Sequence, residues 1–330
     1  MNLYSSKYHN GDLSAYAFLI TGGAGFIGSN LVQYLISHGA GLVRVLDNLS
    51  NGYYSNIEEF IGLKNFEFIE GDIRNMDTCK AALKGIDYVS HQAALGSVPR
   101  SIADPITTND VNISGFLNVL TAVKDTPSVK RMVYAASSST YGDSTILPKV
   151  EGEEGNPLSP YAVTKAVNEM YGDVFSKVYA CHTIGLRYFN VFGPKQNPNN
   201  PYAAVIPIFC KAFIDDKQPV INGDGKTSRD FTFVANAVQA NIKSMVYDEL
   251  TQHEIFNVAC GSQIDLNGVI TLLKENTGKD LNPIYQQERR GDVKHSLASI
   301  EKIKNTIGYD CEYSFKQGLE IVYDWYLSNN

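Results

Sequence analysis

The sequence predicts an α/β protein: a doubly wound, parallel sheet with a smaller α/β lobe formed by the C-terminal part. Three observations carry this. Over roughly the first 190 residues, short apolar runs alternate with amphipathic stretches of 8 to 19 residues. Between the first run and the first stretch lies Thr21-Gly22-Gly23-Ala24-Gly25-Phe26-Ile27-Gly28. An aspartate, Asp47, closes the second run, about twenty residues beyond those glycines.

Taken in order, residues 1–15 are polar and mixed and are expected to form a peripheral extension. Strands are predicted at 17–20, 42–46, 66–69, 88–91, 131–135 and 183–186, and helices at 26–37, 76–83, 113–123 and 160–178. Short apolar runs separated by helices of this length mean βαβ units, whose strands are buried on both faces. After residue 190 the alternation loses regularity, with loop-forming tracts at 193–201 and 222–230. No repeat or low-complexity linker marks a flexible junction. The expected division is therefore 1–190 for nucleotide binding and 191–330 for a second lobe, with some chain crossing back.

Composition narrows the function. Lys plus Arg total 28 against 35 Asp plus Glu, a net charge of −7. Nucleic acid and anionic membrane surfaces need a basic face, so neither is an expected partner. No apolar run approaches the ~20 residues that span a bilayer. The apolar stretch at 15–20 is too short for a signal peptide and runs into glycines, which makes the expected location cytoplasmic. Five scattered cysteines (Cys79, Cys181, Cys210, Cys260, Cys311) contain no CxxC and are expected to be reduced, mostly buried thiols. Six histidines without HxxxH or HExxH spacing give no metal site.

The glycine turn has a mechanical reading. Gly22 permits a tight turn, Gly25 lets the backbone approach a pyrophosphate, and Gly28 lets helix and strand pack closely. The amides of Phe26 and Ile27 then open a helix whose positive end faces the phosphates. Any sharp strand-to-helix turn favours glycine, so the second half of the signal matters. Asp47, followed by Asn48, sits where a carboxylate accepts both adenosine-ribose hydroxyls and repels a 2′-phosphate, which favours NAD over NADP. Asp72 and Ile73 follow the third strand, with Asp72 in reach of adenine, and the small Ala93 and Ala94 after the fourth leave the cofactor room.

The chemistry is assigned to Tyr161 and Lys165, one helical turn apart on one face. A phenol with a pKa near 10 is a poor base at neutral pH, and an ammonium beside it favours the phenolate. Tyr161 can then take a proton from a substrate hydroxyl while hydride leaves the same carbon. Ser137, 24 residues earlier at the end of the fifth strand, is placed to relay that proton, and Ser138 is a second hydroxyl for the relay and the substrate. A YxxxK pair alone is a common accident, and only its glycine and serine context lifts it.

These motifs, with Tyr141-Gly142 and Arg187-Tyr188-Phe189-Asn190-Val191-Phe192-Gly193-Pro194, resemble the extended short-chain dehydrogenase/reductase family from Phe18 onward. The resemblance implies a Rossmann-type fold, bound NAD and a nucleotide-sugar substrate. Dehydratases and decarboxylases of the family carry acids after the catalytic hydroxyl, where this chain has Ser138, Ser139 and Thr140. That leaves oxidation and re-reduction at C4, which is epimerisation. Leu95 to Ser101, the serine triplet and the tract Arg289 to Ser296 are similar to the bacterial UDP-N-acetylglucosamine 4-epimerases. By that likeness Ser97, Ser138, Asn190, Gln196 and Ser296 meet the sugar, Arg229 and Arg289 the diphosphate, and Asp292 the uridine ribose. Family members restricted to non-acetylated sugars carry Tyr at the position of Ser296, which otherwise reads as a helix N-cap. The likeness also implies a homodimer through the 113–123 and 160–178 helices. Ala235 departs from an Asp common in relatives, and a lost cap or orienting contact for the following helix is expected. A UDP-glucose/UDP-galactose or uronic-acid epimerase, and a non-catalytic NAD sensor, remain as alternatives.

Overall fold

Residues 3–198, 204–288 and 294–329 are described by the computed structural model. The central sheet is formed by β1 (Ala17–Thr21), β2 (Leu42–Asp47), β3 (Phe66–Glu70), β4 (Tyr88–His91), β5 (Arg131–Ser137) and β6 (Thr183–Tyr188). Beyond it come β7 (Val191–Phe192), β8 (Val220–Asn222), β9 (Ser228–Arg229), β10 (Thr232–Phe233), β11 (Glu254–Val258), β12 (Ile264–Asp265) and β13 (Ile284–Gln286). The helices are α1 (Phe26–Ser37), α2 (Met76–Ala82), α3 (Val98–Ala103), α4 (Pro105–Asn109), α5 (Phe116–Lys124), α6 (Pro160–Tyr179), α7 (Val205–Ile214), α8 (Val234–Val246), α9 (Leu266–Thr277), α10 (Glu301–Ile307) and α11 (Phe315–Ser328). Each predicted strand is present, most of them longer by one or two residues at the C-terminal end, where β1, β2 and β5 deliver Thr21, Asp47 and Ser137.

The main sheet has seven strands in the order β11-β6-β5-β4-β1-β2-β3, all paired in parallel. The order reverses between β1 and β4, which opens the crevice where ligands bind in such sheets. Period-two alternation splits the core between the faces. Phe18 and Ile20 of β1 join Leu31 and Leu35 of α1 and Val238 of α8 on one side. Leu19 joins Val89, Met132, Phe116 and Leu120 on the other. The seventh strand, β11, comes from the C-terminal half and pairs with β6 from Glu254↔Ile184 to Val258↔Tyr188. The rest of that half builds three two-stranded sheets, β7 with β10, β8 with β13 and β9 with β12.

Several local expectations change. The extension is packed rather than peripheral: Tyr4, Tyr8 and Leu13 are buried, and Tyr8 stacks on Tyr34 of α1 with ring centroids 5.1 Å apart. The predicted 113–123 helix begins earlier, as α4 followed by a π-helical turn at Asp110–Gly115 and then α5. The 222–230 tract contains the end of β8 and all of β9. Cys260 and Cys311 are not free thiols: they are joined by a disulfide across 51 residues, their Cα atoms 5.2 Å apart, because β11 and the approach to α11 converge. Cys79, Cys181 and Cys210 are buried and free. Among the described residues no helix is long and apolar enough to cross a membrane.

Candidate active site

The turn from β1 into α1 is held by backbone contacts that exclude side chains. Gly22 has φ +69°, and a Cβ there would lie 2.6 Å from the Ala93 nitrogen. A Cβ on Gly28 would lie 2.2 Å from the Gly22 carbonyl oxygen, whereas one on Gly25 meets only that oxygen at 3.1 Å. Ala93 is therefore small-neighboured for a structural reason as well, since its backbone abuts the glycine turn. No side chain caps α1 at Gly25 and no acid stands in its first turn, so the positive end of the helix is open to an anion.

Asp47 reaches back to this turn. Its Oδ2 accepts from the Ala24 amide at 3.0 Å and its Oδ1 from the Leu49 amide at 2.8 Å. Burial raises its pKa and the two amides oppose that rise. Each oxygen keeps a second lone pair for a ribose hydroxyl. Asn48 donates to Asp72 at 2.9 Å, and Arg74 makes a bidentate pair with Asp72 at 3.0 and 2.7 Å. These bonds, that to Arg74 foremost, hold Asp72 down to about 2. Ile73 is buried beside them, Ala94 is partly exposed at the strand end, and Arg74 also pairs with Asp110, so its charge is spent on carboxylates. An uncapped helix start, a turn where glycine is forced, and a carboxylate at the second strand end fit a dinucleotide lacking a 2′-phosphate.

Next along the crevice, Ser137 ends β5 and Tyr161 stands in the first turn of α6. Ser138, half-buried, opens the 3-10 turn Ser138–Tyr141 that follows. Lys165 stands one helical turn after Tyr161 on α6. Its Nζ donates to the Ala135 carbonyl at 2.6 Å and lies 5.9 Å from the centroid of the Tyr161 ring. Burial lowers Lys165 to about 8, with Glu169 opposing. Burial raises the Tyr161 phenol, and the Ser137 hydroxyl only opposes that rise. His91 behind them, bonded to Thr21 at 2.8 Å, is driven to about 3 by burial and by Lys165 and stays neutral.

A cavity of about 270 Å³ opens on the C-terminal side, lined by Asn190, Val205, Phe209, Ile221, Asn222 and Arg229 among others. That is below the ~300–1,000 Å³ of pockets enclosing a drug-sized ligand, and suits one end of a longer one. Asn190, with φ +40°, donates from Nδ2 to the Asp230 carbonyl at 2.9 Å. Arg229 donates to the Ser228 and Lys294 carbonyls at 2.9 and 3.2 Å. Sequence reasoning missed α7 and β8, which supply the apolar wall; the apolar run from Val205 to Ile214 was the available signal. It also missed Asp230. This fully buried carboxylate accepts from the amides of Cys260 at 3.0 Å, Gly261 at 3.1 Å and Ala298 at 3.2 Å, tying β9 to two distant segments. Burial pushes it up to about 6 against those amides.

Ser296 is not a helix N-cap. Its amide donates to the Ser228 carbonyl at 3.1 Å, and α10 starts at Glu301 after Ile300. Ser97 accepts from the Arg100 amide at 3.2 Å and so caps α3, away from the cavity lining. Gln196 donates to the Val191 carbonyl at 3.3 Å, while its buried Oε1 has no partner among the described residues. Arg289 and Asp292 lie outside the described residues. Ala235 is fully buried in the second position of α8 and packs into the core, so it neither caps nor orients a contact at the surface.

Comparison with known proteins adds to this geometry. Residues 18–259 match the model of the NAD dependent epimerase/dehydratase family. A protein of Methanocaldococcus jannaschii described as a putative UDP-glucose 4-epimerase is 34% identical over 314 residues, covering 94% of this chain and 99% of its own. The solved UDP-N-acetylglucosamine 4-epimerase from Methanobrevibacter ruminantium, in complex with UDP-N-acetylmuramic acid, is 38% identical with a TM-score of 0.90, covering 96% of this chain and 99% of its own. A UDP-glucuronic acid 4-epimerase from Bacillus cereus, solved with UDP-glucuronic acid and NAD, is 29% identical with a TM-score of 0.87, covering 95% of this chain and all (100%) of its own.

Proposed function

The chain belongs to the NAD-dependent epimerase/dehydratase family as a UDP-sugar 4-epimerase that works with NAD, and we propose that it interconverts UDP-N-acetylglucosamine and UDP-N-acetylgalactosamine. In this reading Gly22, Gly25 and Gly28, with the amides of Phe26 and Ile27, hold the pyrophosphate; Asp47 and Asn48 hold the adenosine ribose; Asp72 and Ile73 the adenine; and Ala93 and Ala94 border the nicotinamide half. When bound, NAD supplies the hydride acceptor and donor for C4. Everything else falls to the chain's own side chains. Tyr161 as phenolate takes the proton of the 4-hydroxyl, with Ser137 donating to the phenolate and Ser138 beside it. Buried Lys165 carries the positive charge that the phenolate needs within one helical turn. The 4-keto sugar would turn over so that its other face receives the hydride, and Tyr161 would return the proton to the C4 oxygen. Arg229 and Arg289 hold the diphosphate and Asp292 the ribose, with uridine against the Val205, Phe209 and Ile221 wall. Asn190 lines the cavity, and Ser97 and Gln196 are assigned to the sugar by the family likeness alone.

The observation that carries the N-acetylhexosamine assignment is Ser296: a small, half-buried side chain whose amide is bonded to Ser228, next to Arg229. In this reading the small Ser296 leaves the space that an acetamide takes beside the diphosphate. The test is a panel of UDP-N-acetylhexosamines, UDP-hexoses and UDP-uronates with separation of the 4-epimers. UDP-N-acetylglucosamine is expected to be converted with the highest kcat/KM; conversion of UDP-glucose or UDP-glucuronate alone overturns the assignment. Ser296→Tyr fills the space with an aromatic, and overpacking of that size costs about 1–3 kcal/mol. The expected result is a loss of tenfold or more, at ~1.4 kcal/mol per decade, on the acetylated pair with the non-acetylated pair retained. Equal loss on both pairs assigns the residue to folding.

The same reading includes a homodimer. Val163, Met170, Val174 and Val178 of α6 share one face and are 46%, 67%, 48% and 63% exposed; Ile102 and Ile106 of α3 and α4 are 65% and 80% exposed. The outward apolar residues thus come from α6 and the two short helices, and a second copy is the occupant proposed for them. Met170→Glu should convert a dimer to a monomer in sedimentation velocity, and a monomeric wild type at micromolar concentration removes the proposal.

A further inference from the structure

Lys165 and Glu169 stand four residues apart on α6, the spacing at which opposite charges on one helix meet. Both are withdrawn from water: Lys165 is buried, and the Glu169 side chain is 13% exposed. Among the described residues they nevertheless form no ion pair with each other. Glu169 is taken from β6 instead. Arg187 Nε donates to its Oε1 at 2.9 Å and Nη2 to its Oε2 at 2.7 Å, a fork that occupies both oxygens at once. The remaining nitrogen, Nη1, donates to Glu154, and the guanidinium lies 4.8 Å from the Tyr141 ring centroid. Among the described residues the Lys165 ammonium has one acceptor, the Ala135 carbonyl at 2.6 Å. The sheet register sets these two anchors of α6 side by side, because Ala135 pairs with Leu186 and Ala136 with Arg187.

We propose that Arg187 is a positioning residue for Lys165: by taking both oxygens of Glu169 it keeps that carboxylate from Lys165 and leaves the ammonium on the Ala135 carbonyl, beside Tyr161. The kinetic consequence rests on the epimerase reading, whereas the geometry does not. A buried carboxylate left unpaired is costly and takes whichever cation it reaches. A guanidinium wins that competition, since its planar fork matches a carboxylate in two bonds and an ammonium is a point charge. Without Arg187, the cation one turn away on the same helix is Lys165. Its charge is then spent on Glu169, and the Tyr161 phenolate loses the support it needs. No other charge substitutes. His91 from β4 is neutral and bonded to Thr21, Ser137 of β5 is uncharged, and the buried phenol of Tyr134 keeps its proton. Further along α6, Asp173 is paired with Lys177.

The test uses the NAD-loaded protein and lysine-selective NMR, with Lys165→Arg to assign the resonance. In Arg187→Met, Lys165 should ionise at a pH higher by about one unit or more, since a charge within ~4–6 Å moves its neighbour by about 1–3. At neutral pH kcat should fall about tenfold, with the acidic limb displaced upward and KM within about threefold. The double variant Arg187→Met/Glu169→Gln removes the carboxylate along with its partner. It should return Lys165 to the wild-type ionisation or below it, and kcat to within about threefold of wild type, as removal of both partners can be nearly neutral. Restoration by a second change is not expected of a residue that only braces the fold. Arg187→Lys keeps the buried charge and serves if the methionine variant does not fold; it should move Lys165 in the same direction by less. Glu154→Gln cuts only the other arm of Arg187 and should leave Lys165 unmoved. An unmoved Lys165 in the Arg187 variants, a double variant no better than Arg187→Met, or an equal movement in Glu154→Gln overturns the proposal. Absence of any UDP-sugar conversion by wild type would instead remove the epimerase reading, and the titration would still decide on Arg187.

Discussion

Tyr161→Phe lowers kcat by two to four orders of magnitude and leaves KM for the UDP-sugar within a few fold: this is the largest effect expected of any conservative change in the molecule. The substitution removes one oxygen from a half-buried side chain and nothing from the ring. General acid–base transfer contributes about 10²–10⁴ in rate, or roughly 3–5 kcal/mol of barrier, and no second base stands ready. Lys165 donates to Ala135, His91 is neutral and bonded to Thr21, and the hydroxyls of Ser137 and Ser139 are weak bases bonded to one another. Burial that raises the phenol and lowers the ammonium of Lys165 to about 8 works against the ionised pair in the resting protein. The acidic limb of activity therefore belongs to Tyr161, with turnover rising as pH rises through its ionisation. An ordinary kcat in the Phe variant, measured by 4-epimer separation, would place the base elsewhere.

Gly28→Ala is expected to strip the protein of its dinucleotide and destabilise it at once. The new methyl would sit 2.2 Å from the Gly22 carbonyl oxygen and 2.8 Å from Gly23 Cα, all backbone. Alanine gains roughly 0.5–1 kcal/mol over glycine inside a helix, but overpacking at a site without a movable neighbour costs about 1–3 kcal/mol or more, and the steric term wins. Separation of α1 from β1 displaces the amides of Phe26 and Ile27 from the phosphates. Denaturation of the purified variant should release at most a tenth of the wild-type dinucleotide, with a Tm lower by about 5 °C. Gly25→Ala separates the two effects, since its methyl meets only one atom, at 3.1 Å. It should retain a Tm within ~2 °C of wild type and still lose dinucleotide, because the methyl stands where the pyrophosphate approaches. Full occupancy in both variants would remove the glycine turn from cofactor binding.

Local spacing carries much of this protein. The strand–turn–helix around Gly22, Gly25 and Gly28 is decided within a dozen residues, by the positive φ of Gly22 and by backbone clashes that a side chain at Gly22 or Gly28 would meet. The Tyr161–Lys165 pair needs only helical periodicity, and Asp47 only the end of a strand. Alternation of apolar runs and amphipathic helices dictates a parallel sheet because strands buried on both faces have nowhere else to go.

What the tertiary structure alone decided is how distant segments meet. Residues 254–258 add a seventh strand beside β6, and Cys260 is thereby carried to Cys311. Asp230 collects amides from Cys260, Gly261 and Ala298, Ser296 lies against Ser228, and the N-terminal extension packs through Tyr4 and Tyr8 onto α1. The direction of Lys165 toward Ala135 also follows from burial rather than spacing. A buried donor must find whichever acceptor the packed fold brings within about 3 Å, and that acceptor is set by loops closed over tens of residues, a cost and a geometry that no local periodicity encodes.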